Sequence, residues 1–201
     1  MASKRKYKLA VLVSGRGSNL QSIIDSIEQK ELAAEIAVIL SNKSAAPALE
    51  RGRKYGIDSV FLDPKLYPGK LDYDRAIIQL LKNKSVDLIC LAGFMRILGK
   101  EFIQSFPDKI INIHPSLLPA FPGLDAQKQA LEYGVKVSGC TVHFVNEQVD
   151  AGPVILQSAV PVHGTDTVET LSQRILEQEH IIYPKAIQLC IQNQLTGRQA
   201  T

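Results

Sequence analysis

The sequence has few cysteines, no closely spaced metal-ligating pair and no long apolar run. Cys90, Cys140 and Cys190 stand far apart in apolar contexts without C-x-x-C spacing, which disfavours a disulfide framework or a cysteine-based zinc site. The four histidines show no close spacing with each other or with cysteine. We therefore expect buried thiols in a reducing compartment and no metal.

Membrane and nucleic-acid partners are equally disfavoured. No apolar run approaches the ~18 residues that a membrane span needs. The basic start is followed by an apolar run only from Leu9 to Val13, which is too short for the core of a secretory signal. A net charge of +3 suits phosphate-bearing small molecules better than nucleic acid. We expect a cytoplasmic monomer or homodimer whose partners are small molecules.

Apolar runs alternate with amphipathic segments along a chain of 201 residues, which is long enough for one core. Seven runs are predicted strands: 8–13, 35–40, 59–62, 88–92, 109–113, 140–145 and 154–160. Six segments are predicted helices: 19–30, 46–55, 71–82, 100–105, 125–132 and 167–193. Strands that alternate with helices indicate βαβ units and a parallel sheet covered on both faces.

The last two predicted strands follow each other closely and are expected to pair antiparallel at one edge of the sheet. The chain shows no linker, repeat or low-complexity tract. We therefore predict a single-domain, Rossmann-like α/β fold with a mostly parallel twisted sheet flanked by helices. An antiparallel C-terminal edge and a long C-terminal helix complete it, and residues 1–7 are expected to be flexible.

A glycine-containing loop joins the first predicted strand to the first predicted helix. Gly15 and Gly17 let the backbone turn sharply, and the N–H groups that open a helix attract an anion. Ser18 and Asn19 add a hydroxyl and an amide. A tight turn without a ligand explains a lone G-x-G equally well. The lack of a third glycine favours a mononucleotide-type phosphate over a dinucleotide.

Asn112 and His114 lie two residues apart at the end of an apolar run. In a strand such residues point to the same side, so an amide donor and a titratable imidazole would project together. This pair suits chemistry in which a carbonyl oxygen becomes negative and a proton moves. The alternative is an asparagine that closes a turn beside a surface histidine.

A constrained carboxylate occurs downstream, in the loop before the last predicted strand. Gly152 and Pro153 restrict the backbone after Asp150, and a carboxylate near His114 would stabilise the imidazolium. The alternative is a turn carboxylate that faces solvent. His143, inside a predicted strand, is interpreted as structural, with a supporting role near the site as the minority interpretation.

The motifs occur in a familiar order: SGRGSNL at 14–20, SNK at 41–43, LAGFMRIL at 91–98, NIHPSLLP at 112–119 and VDAGPVILQ at 149–157. The match runs from about residue 9 to about residue 184, and this chain resembles the phosphoribosylglycinamide formyltransferases, which are folate-dependent enzymes of purine biosynthesis. The resemblance implies transfer of a formyl group from 10-formyltetrahydrofolate to the amino group of glycinamide ribonucleotide. It also raises the expectation that the Leu118–Pro119 bond is cis.

The resemblance implies a role for each matching residue. Asn112, His114 and Asp150 match the catalytic trio, in which Asn112 and a protonated His114 stabilise the oxyanion and Asp150 holds His114. The residues matched to the nucleotide phosphate and ribose are Gly17, Ser18, Asn19 and Glu179. Those matched to the folate pocket are Met95, Arg96, Ile97, Leu98, Asn146, Glu147, Gln148, Val149 and Lys70. Many relatives have arginine near Lys70, whose ammonium keeps the charge but lacks the planar fork.

The same resemblance divides the chain into a nucleotide-binding half, 8–110, and a catalytic and folate-binding half, 111–201. Two formyl-folate relatives remain as alternatives, the methionyl-tRNA formyltransferases and the formyltetrahydrofolate hydrolases. Both are disfavoured because we expect no added domain here. The tRNA enzymes also usually have an R-G-x-x-P-type run where this chain has Phe121 to Ala126. A catalytically silent nucleotide-binding module is a further alternative.

Overall fold

The computed structural model describes residues 6–196, and its strands follow the apolar runs of the sequence. The strands are β1 (Tyr7–Val13), β2 (Ala34–Ser41), β3 (Ser59–Phe61), β4 (Leu88–Leu91), β5 (Ile110–His114), β6 (Val137–Phe144) and β7 (Val154–Pro161). The helices are α1 (Ser18–Glu28), α2 (Pro47–Lys54), α3 (Lys70–Asn83), α4 (Lys100–Ser105), α5 (Ala126–Tyr133) and α6 (Val168–Thr196). A short 3-10 helix, Pro64–Leu66, was not predicted.

The strands form one sheet in the order β3-β2-β1-β4-β5-β6-β7. Strand β1 pairs parallel with both β2 and β4, and β2 pairs parallel with β3. Strands β6 and β7 pair antiparallel. The predicted fold class is therefore confirmed: a mostly parallel α/β sheet with an antiparallel C-terminal edge and a long C-terminal helix.

The first compact unit, Met1–Ile111, contains β1 to β4 and α1 to α4. Its core is the fully buried run from Leu9 to Val13 in β1, which β2 and β4 flank as parallel strands. Tyr7 already belongs to β1, although residues 1–7 were expected to be flexible. Residues 1–5 lie outside the described residues.

The second unit, Asn112–Thr201, contains β6, β7, α5 and α6. Strand β6 begins at Val137, before the predicted start at residue 140. Ser138 and Gly139 break the apolar run, yet they pair with Val160 and Ala159 of β7, so backbone hydrogen bonding extends the strand. Helix α6 packs on β6 and β7 and continues through Pro184.

The start of α6 is fixed by a side-chain network. The Asp166 carboxylate accepts two hydrogen bonds from the Arg174 guanidinium, both 2.8 Å long, and one of 2.9 Å from the Thr170 hydroxyl. Thr167 Oγ1 accepts from the Thr170 backbone N–H at 3.3 Å, as an N-cap residue does.

Within residues 6–196, none of the helices has the length and apolar character of a membrane span.

Candidate active site

His114 lies at the end of β5 and is buried among hydrogen-bond acceptors. Its Nδ1 is 3.3 Å from Asp150 Oδ2, and its Nε2 is 2.9 Å from the backbone carbonyl oxygen of Phe121. A carboxylate and a carbonyl can only accept hydrogen bonds. Both contacts are therefore satisfied together when the ring carries a hydrogen on each nitrogen, which is the imidazolium form.

Asp150 is held in a left-handed backbone conformation, with φ of 50°, which aspartate tolerates better than most residues. Its Oδ2 accepts a hydrogen bond of 2.8 Å from the Gly123 backbone N–H. Burial alone would raise the pKa of this carboxyl. The hydrogen bond from the Gly123 N–H and the charge of His114 instead hold the Asp150 pKa below its ordinary value. Asp150 is therefore an ionised carboxylate beside His114.

Gly152 allows the loop that carries Asp150 to lie against the end of β6. A Cβ at this position would stand 1.8 Å from the Phe144 carbonyl oxygen, a distance that no real contact allows. The Phe144 backbone N–H donates to the Pro153 carbonyl at 2.9 Å and closes the loop. The backbone after Asp150 is therefore restricted in part because position 152 has no room for a side chain.

His143 of β6 lies in the same cluster. Its Nε2 is 3.3 Å from the Asn112 amide nitrogen and 3.7 Å from Asp150 Oδ1. Its Nδ1 is 2.9 Å from the Phe144 carbonyl oxygen. The apolar neighbours of His143 in the sequence favour a structural role and give no sign of these contacts.

The segment after β5 is fixed by polar side chains of β6 and β7. Thr141 Oγ1 donates to the Ser116 carbonyl at 2.7 Å and accepts from the Leu118 N–H at 3.0 Å. The Gln157 amide donates to the Leu118 carbonyl at 2.9 Å. The Leu118–Pro119 peptide bond is cis, as expected from the resemblance. This segment leads directly to the Phe121 carbonyl that contacts His114.

The glycine loop of the first unit begins α1 with a glycine cap. Gly17 has φ of 74°, and a Cβ there would lie 2.6 Å from the Ala48 Cβ of α2. Glycine is therefore required both by the backbone conformation and by the close approach. Gly17 occupies the N-cap position without a side-chain hydrogen bond, so Ser18 is the first helical residue rather than the cap. The close approach at Gly17 is to α2, and the phosphate role of this loop stays a prediction.

Ser14 connects three loops at the carboxyl ends of neighbouring strands. Its hydroxyl donates to Asn42 Oδ1 at 2.6 Å and accepts from the Met95 backbone N–H at 2.8 Å. Its own N–H donates to the Gly93 carbonyl at 3.0 Å. The loops after β1, β2 and β4 are therefore held together within the first unit, as parallel strand ends that carry ligand sites often are.

The residues predicted to line a folate pocket differ in exposure. Met95 and Ile97 expose 62% and 68% of their surface, whereas Leu98 is buried. The Arg96 guanidinium stacks over the Tyr73 ring at 4.7 Å. Lys70 begins α3 and lines a groove of about 520 Å³ with Asp74 and Gly99 among others. Of residues 95–98, only Met95 and Ile97 have large exposed apolar side chains.

The remaining predicted residues lie in the second unit. Asn146 Oδ1 accepts from the Gln148 N–H at 3.0 Å, which forms a turn before Asp150, and Val149 is exposed. Glu147 is in the same turn. Glu179 is buried in α6. Burial of the Cys140 thiol, together with the negative charge of the Glu179 carboxylate, raises the pKa of Cys140 to about 12. Cys140 and His143 have opposite parity on β6, so Glu179 approaches the other face of that strand.

Potential metal ligands are not clustered. Among residues 6–196, no group of three or more histidine, cysteine, aspartate or glutamate side chains is arranged to hold a metal ion.

The chain resembles known proteins over most of its length. Residues 7–187 match the formyl transferase family. The chain is 52% identical over 186 residues to the human trifunctional purine biosynthetic protein adenosine-3, covering 92% of this chain and 18% of that protein. It is 46% identical over 180 residues to the Bacillus subtilis phosphoribosylglycinamide formyltransferase, covering 90% of this chain and 92% of that protein. The chain thus spans about a fifth of the trifunctional relatives and nearly all of the bacterial one.

Solved structures agree with the sequence comparison. The crystal structure of glycinamide ribonucleotide transformylase 1 from Symbiobacterium toebii superposes with a TM-score of 0.90 at 49% identity, covering 94% of this chain and 92% of that one. The fold is that of a Rossmann-like α/β protein, with Asn112, His114, His143 and Asp150 in one cluster. The chain belongs to the formyl transferase family.

Proposed function

We propose that this protein transfers a formyl group from 10-formyltetrahydrofolate to the amino group of glycinamide ribonucleotide, a step of purine biosynthesis. The observation that carries the proposal is the contact between His114 and Asp150, with Asn112 on the same strand as His114, in a chain of the formyl transferase family. An amide donor beside an imidazolium and its carboxylate suits an acyl transfer in which negative charge develops on the formyl oxygen.

Asn112 donates a side-chain N–H to the formyl oxygen as the substrate amine adds to the formyl carbon. A preorganised donor of this kind contributes roughly 3–4 kcal/mol to stabilisation of the transition state. His114 adds the positive charge of its imidazolium to the same developing anion, and Asp150 keeps that ring charged and oriented. No covalent bond to the protein is needed.

The proton of the attacking amine must reach the leaving nitrogen of the folate. His114 Nε2 is already bonded to the Phe121 carbonyl, so direct donation from this atom requires that hydrogen bond to break. Electrostatic stabilisation of the oxyanion by His114 leaves the hydrogen bond to the Phe121 carbonyl intact. We therefore assign proton transfer to a water that Asp150 orients, with His114 as the charged group that stabilises the oxyanion.

Binding roles follow the resemblance, each within its own part of the chain. Gly17, Ser18 and Asn19 are assigned to the nucleotide phosphate, and Glu179 is assigned a nucleotide contact. The folate contacts are residues 95–98, of which Met95 and Ile97 are the most exposed, and residues 146–149, with Lys70 as a further cation. The left-handed backbone at Gly17 supports the phosphate assignment.

The test is a formyl-transfer assay with the purified full chain, 10-formyltetrahydrofolate and glycinamide ribonucleotide. We expect turnover that requires both substrates. Turnover without the amine would instead support a hydrolase, and formylation of charged initiator tRNA would support the tRNA enzyme. Nucleotide binding without any formyl transfer would support the silent module and overturn the proposal.

A further inference from the structure

His143 has partners of two kinds, and this distinguishes it from His114. Its Nδ1 faces the Phe144 carbonyl oxygen at 2.9 Å, so Nδ1 carries a hydrogen. Its Nε2 faces the Asn112 amide nitrogen at 3.3 Å. An amide nitrogen only donates, so Nε2 must be without a hydrogen to accept this bond.

The competing arrangement has a protonated Nε2 that donates to Asp150. That distance is 3.7 Å, longer than the 3.3 Å to the Asn112 amide and beyond the range of a hydrogen bond. A second imidazolium would also leave two buried cations beside one carboxylate, which is unfavourable. The shorter contact and the charge balance both favour a neutral His143.

His143 is confined where β6 pairs with β7. The register of β6 on β7 shifts between Val142 and His143, where Val142 pairs with Leu156 and His143 with Val154. The extra residue of this bulge is Ile155 of β7, so β6 keeps its regular alternation through His143. His143 is 2% exposed, so its ring is confined by packing and has little freedom to leave the Asn112 amide.

We propose that His143 is a positioning residue that, as the neutral tautomer with hydrogen on Nδ1, accepts a hydrogen bond from Asn112 and thereby aims its amide at the formyl oxygen. The inference rests on the proposed function. One N–H of the amide is held by His143, and the second N–H is left to donate to the oxyanion. The two histidines thus differ by protonation: His114 supplies charge, and His143 supplies orientation.

The test is a double-mutant cycle with His143→Leu and Asn112→Ala, measured by steady-state formyl transfer. We expect His143→Leu to lower kcat by about 10-fold or more, because a misaimed donor loses much of its effect. KM should change by less than about twofold, since ground-state binding is untouched. In the Asn112→Ala background the same change should cost nothing further, because the two residues act as a unit.

Two further variants distinguish a loss of Asn112 orientation from a general disruption of the fold. His143→Gln keeps an acceptor near the place of Nε2 and should recover much of kcat. His163→Ala, in an exposed loop of the same unit, is the matched control and should be silent. A near-native kcat for His143→Leu, or an equal loss in both backgrounds, would overturn the proposal.

A spectroscopic measurement on the unaltered protein remains decisive if the variants do not fold or if no formyl transfer is found. Long-range ¹H–¹⁵N correlation of the histidine rings should show His143 with hydrogen on Nδ1 and none on Nε2. A protonated Nε2 at neutral pH would refute the positioning role. Failure of the formyl-transfer assay alone would refute the proposed function and leave the tautomer to be decided by this spectrum.

Discussion

His114 and His143 lie in one cluster, yet their partners give them different chemistry. His114 meets two acceptors, the Asp150 carboxylate and the Phe121 carbonyl, whereas His143 meets one acceptor and one donor. Hydrogen-bond partners decide the protonation of a buried imidazole because an unsatisfied polar atom is costly there. The residue type alone does not define a catalytic role.

Removing either member of the charged pair should reduce turnover. His114→Ala and Asp150→Asn are each expected to lower kcat by about 10²- to 10⁴-fold, because the charge that stabilises the oxyanion is lost or misplaced. KM for both substrates should change little. Steady-state kinetics measure this. Near-native turnover in either variant would mean that the role given to that residue is wrong.

Asn112→Ala should cost at least ~10²-fold in kcat if its amide is the oxyanion donor. The effect should appear in kcat and in kcat/KM to the same extent, since the hydrogen bond forms only in the transition state. A loss confined to KM would show that Asn112 binds substrate instead of stabilising charge.

The β6–β7 hairpin carries the groups that hold the site in place. Thr141 and Gln157 fix the segment after β5, and the connecting loop brings Asp150 to His114. The loop closes where Gly152 lies directly on the Phe144 carbonyl. Local backbone geometry therefore positions Asp150 as much as its own contacts do.

Gly152→Ala should separate the loop from the strand. The new methyl group has to displace backbone atoms, and overpacking of this kind destabilises by about 1–3 kcal/mol. We expect a lower midpoint in urea unfolding and a lower kcat. Gly164→Ala is the control, because nothing lies within 4 Å of a Cβ there. Equal stability of the two variants would contradict the close approach at Gly152.

The glycine loop should affect binding and leave the chemical step intact. Ser18→Ala and Asn19→Ala are expected to raise KM for glycinamide ribonucleotide about 10-fold or more and to leave kcat nearly unchanged, since phosphate contacts are the same in the ground and transition states. Substrate-dependence curves measure both constants. A loss in kcat alone would argue against a phosphate site.

Much of the fold is predictable from the sequence, because strands such as β1 and β4 are continuous apolar runs. The start of β6 is not, since Ser138 and Gly139 are held by pairing with β7 rather than by side-chain pattern. Likewise, strand parity predicts that Asn112 and His114 project together. The contact between Asn112 and His143 joins two strands that are far apart in sequence, which a one-dimensional pattern does not contain.

Carboxylates with lowered pKa values make the chain sensitive to acid as a whole. The Arg174 guanidinium, with the His163 N–H, holds the pKa of Asp166 well below its usual range. Asp150 is lowered as well. For both, the folded chain binds fewer protons in acid than the unfolded chain, so their stabilisation is complete above about pH 4 and is lost as the pH falls through the folded pKa.

The free energy of unfolding should therefore fall between about pH 4 and pH 2 in the native protein. Asp150→Asn should flatten part of this dependence, because the titrating group is gone. Asp108→Asn is a matched control, since Asp108 has a similar left-handed backbone, with φ of 56°, and is exposed. Urea unfolding at a series of pH values measures the slopes. Identical slopes for Asp150→Asn and the native chain would contradict a lowered Asp150 pKa.

The hydroxyl of Ser14 has a consequence for how this sequence can vary. It hydrogen-bonds to both Asn42 and the Met95 backbone, so one oxygen atom links the loops after β1, β2 and β4. Replacing Ser14 by alanine removes both side-chain links and leaves the backbone hydrogen bond from its N–H to the Gly93 carbonyl. Loop exchange between relatives should therefore succeed when the segments after β1, β2 and β4 are transplanted as a set.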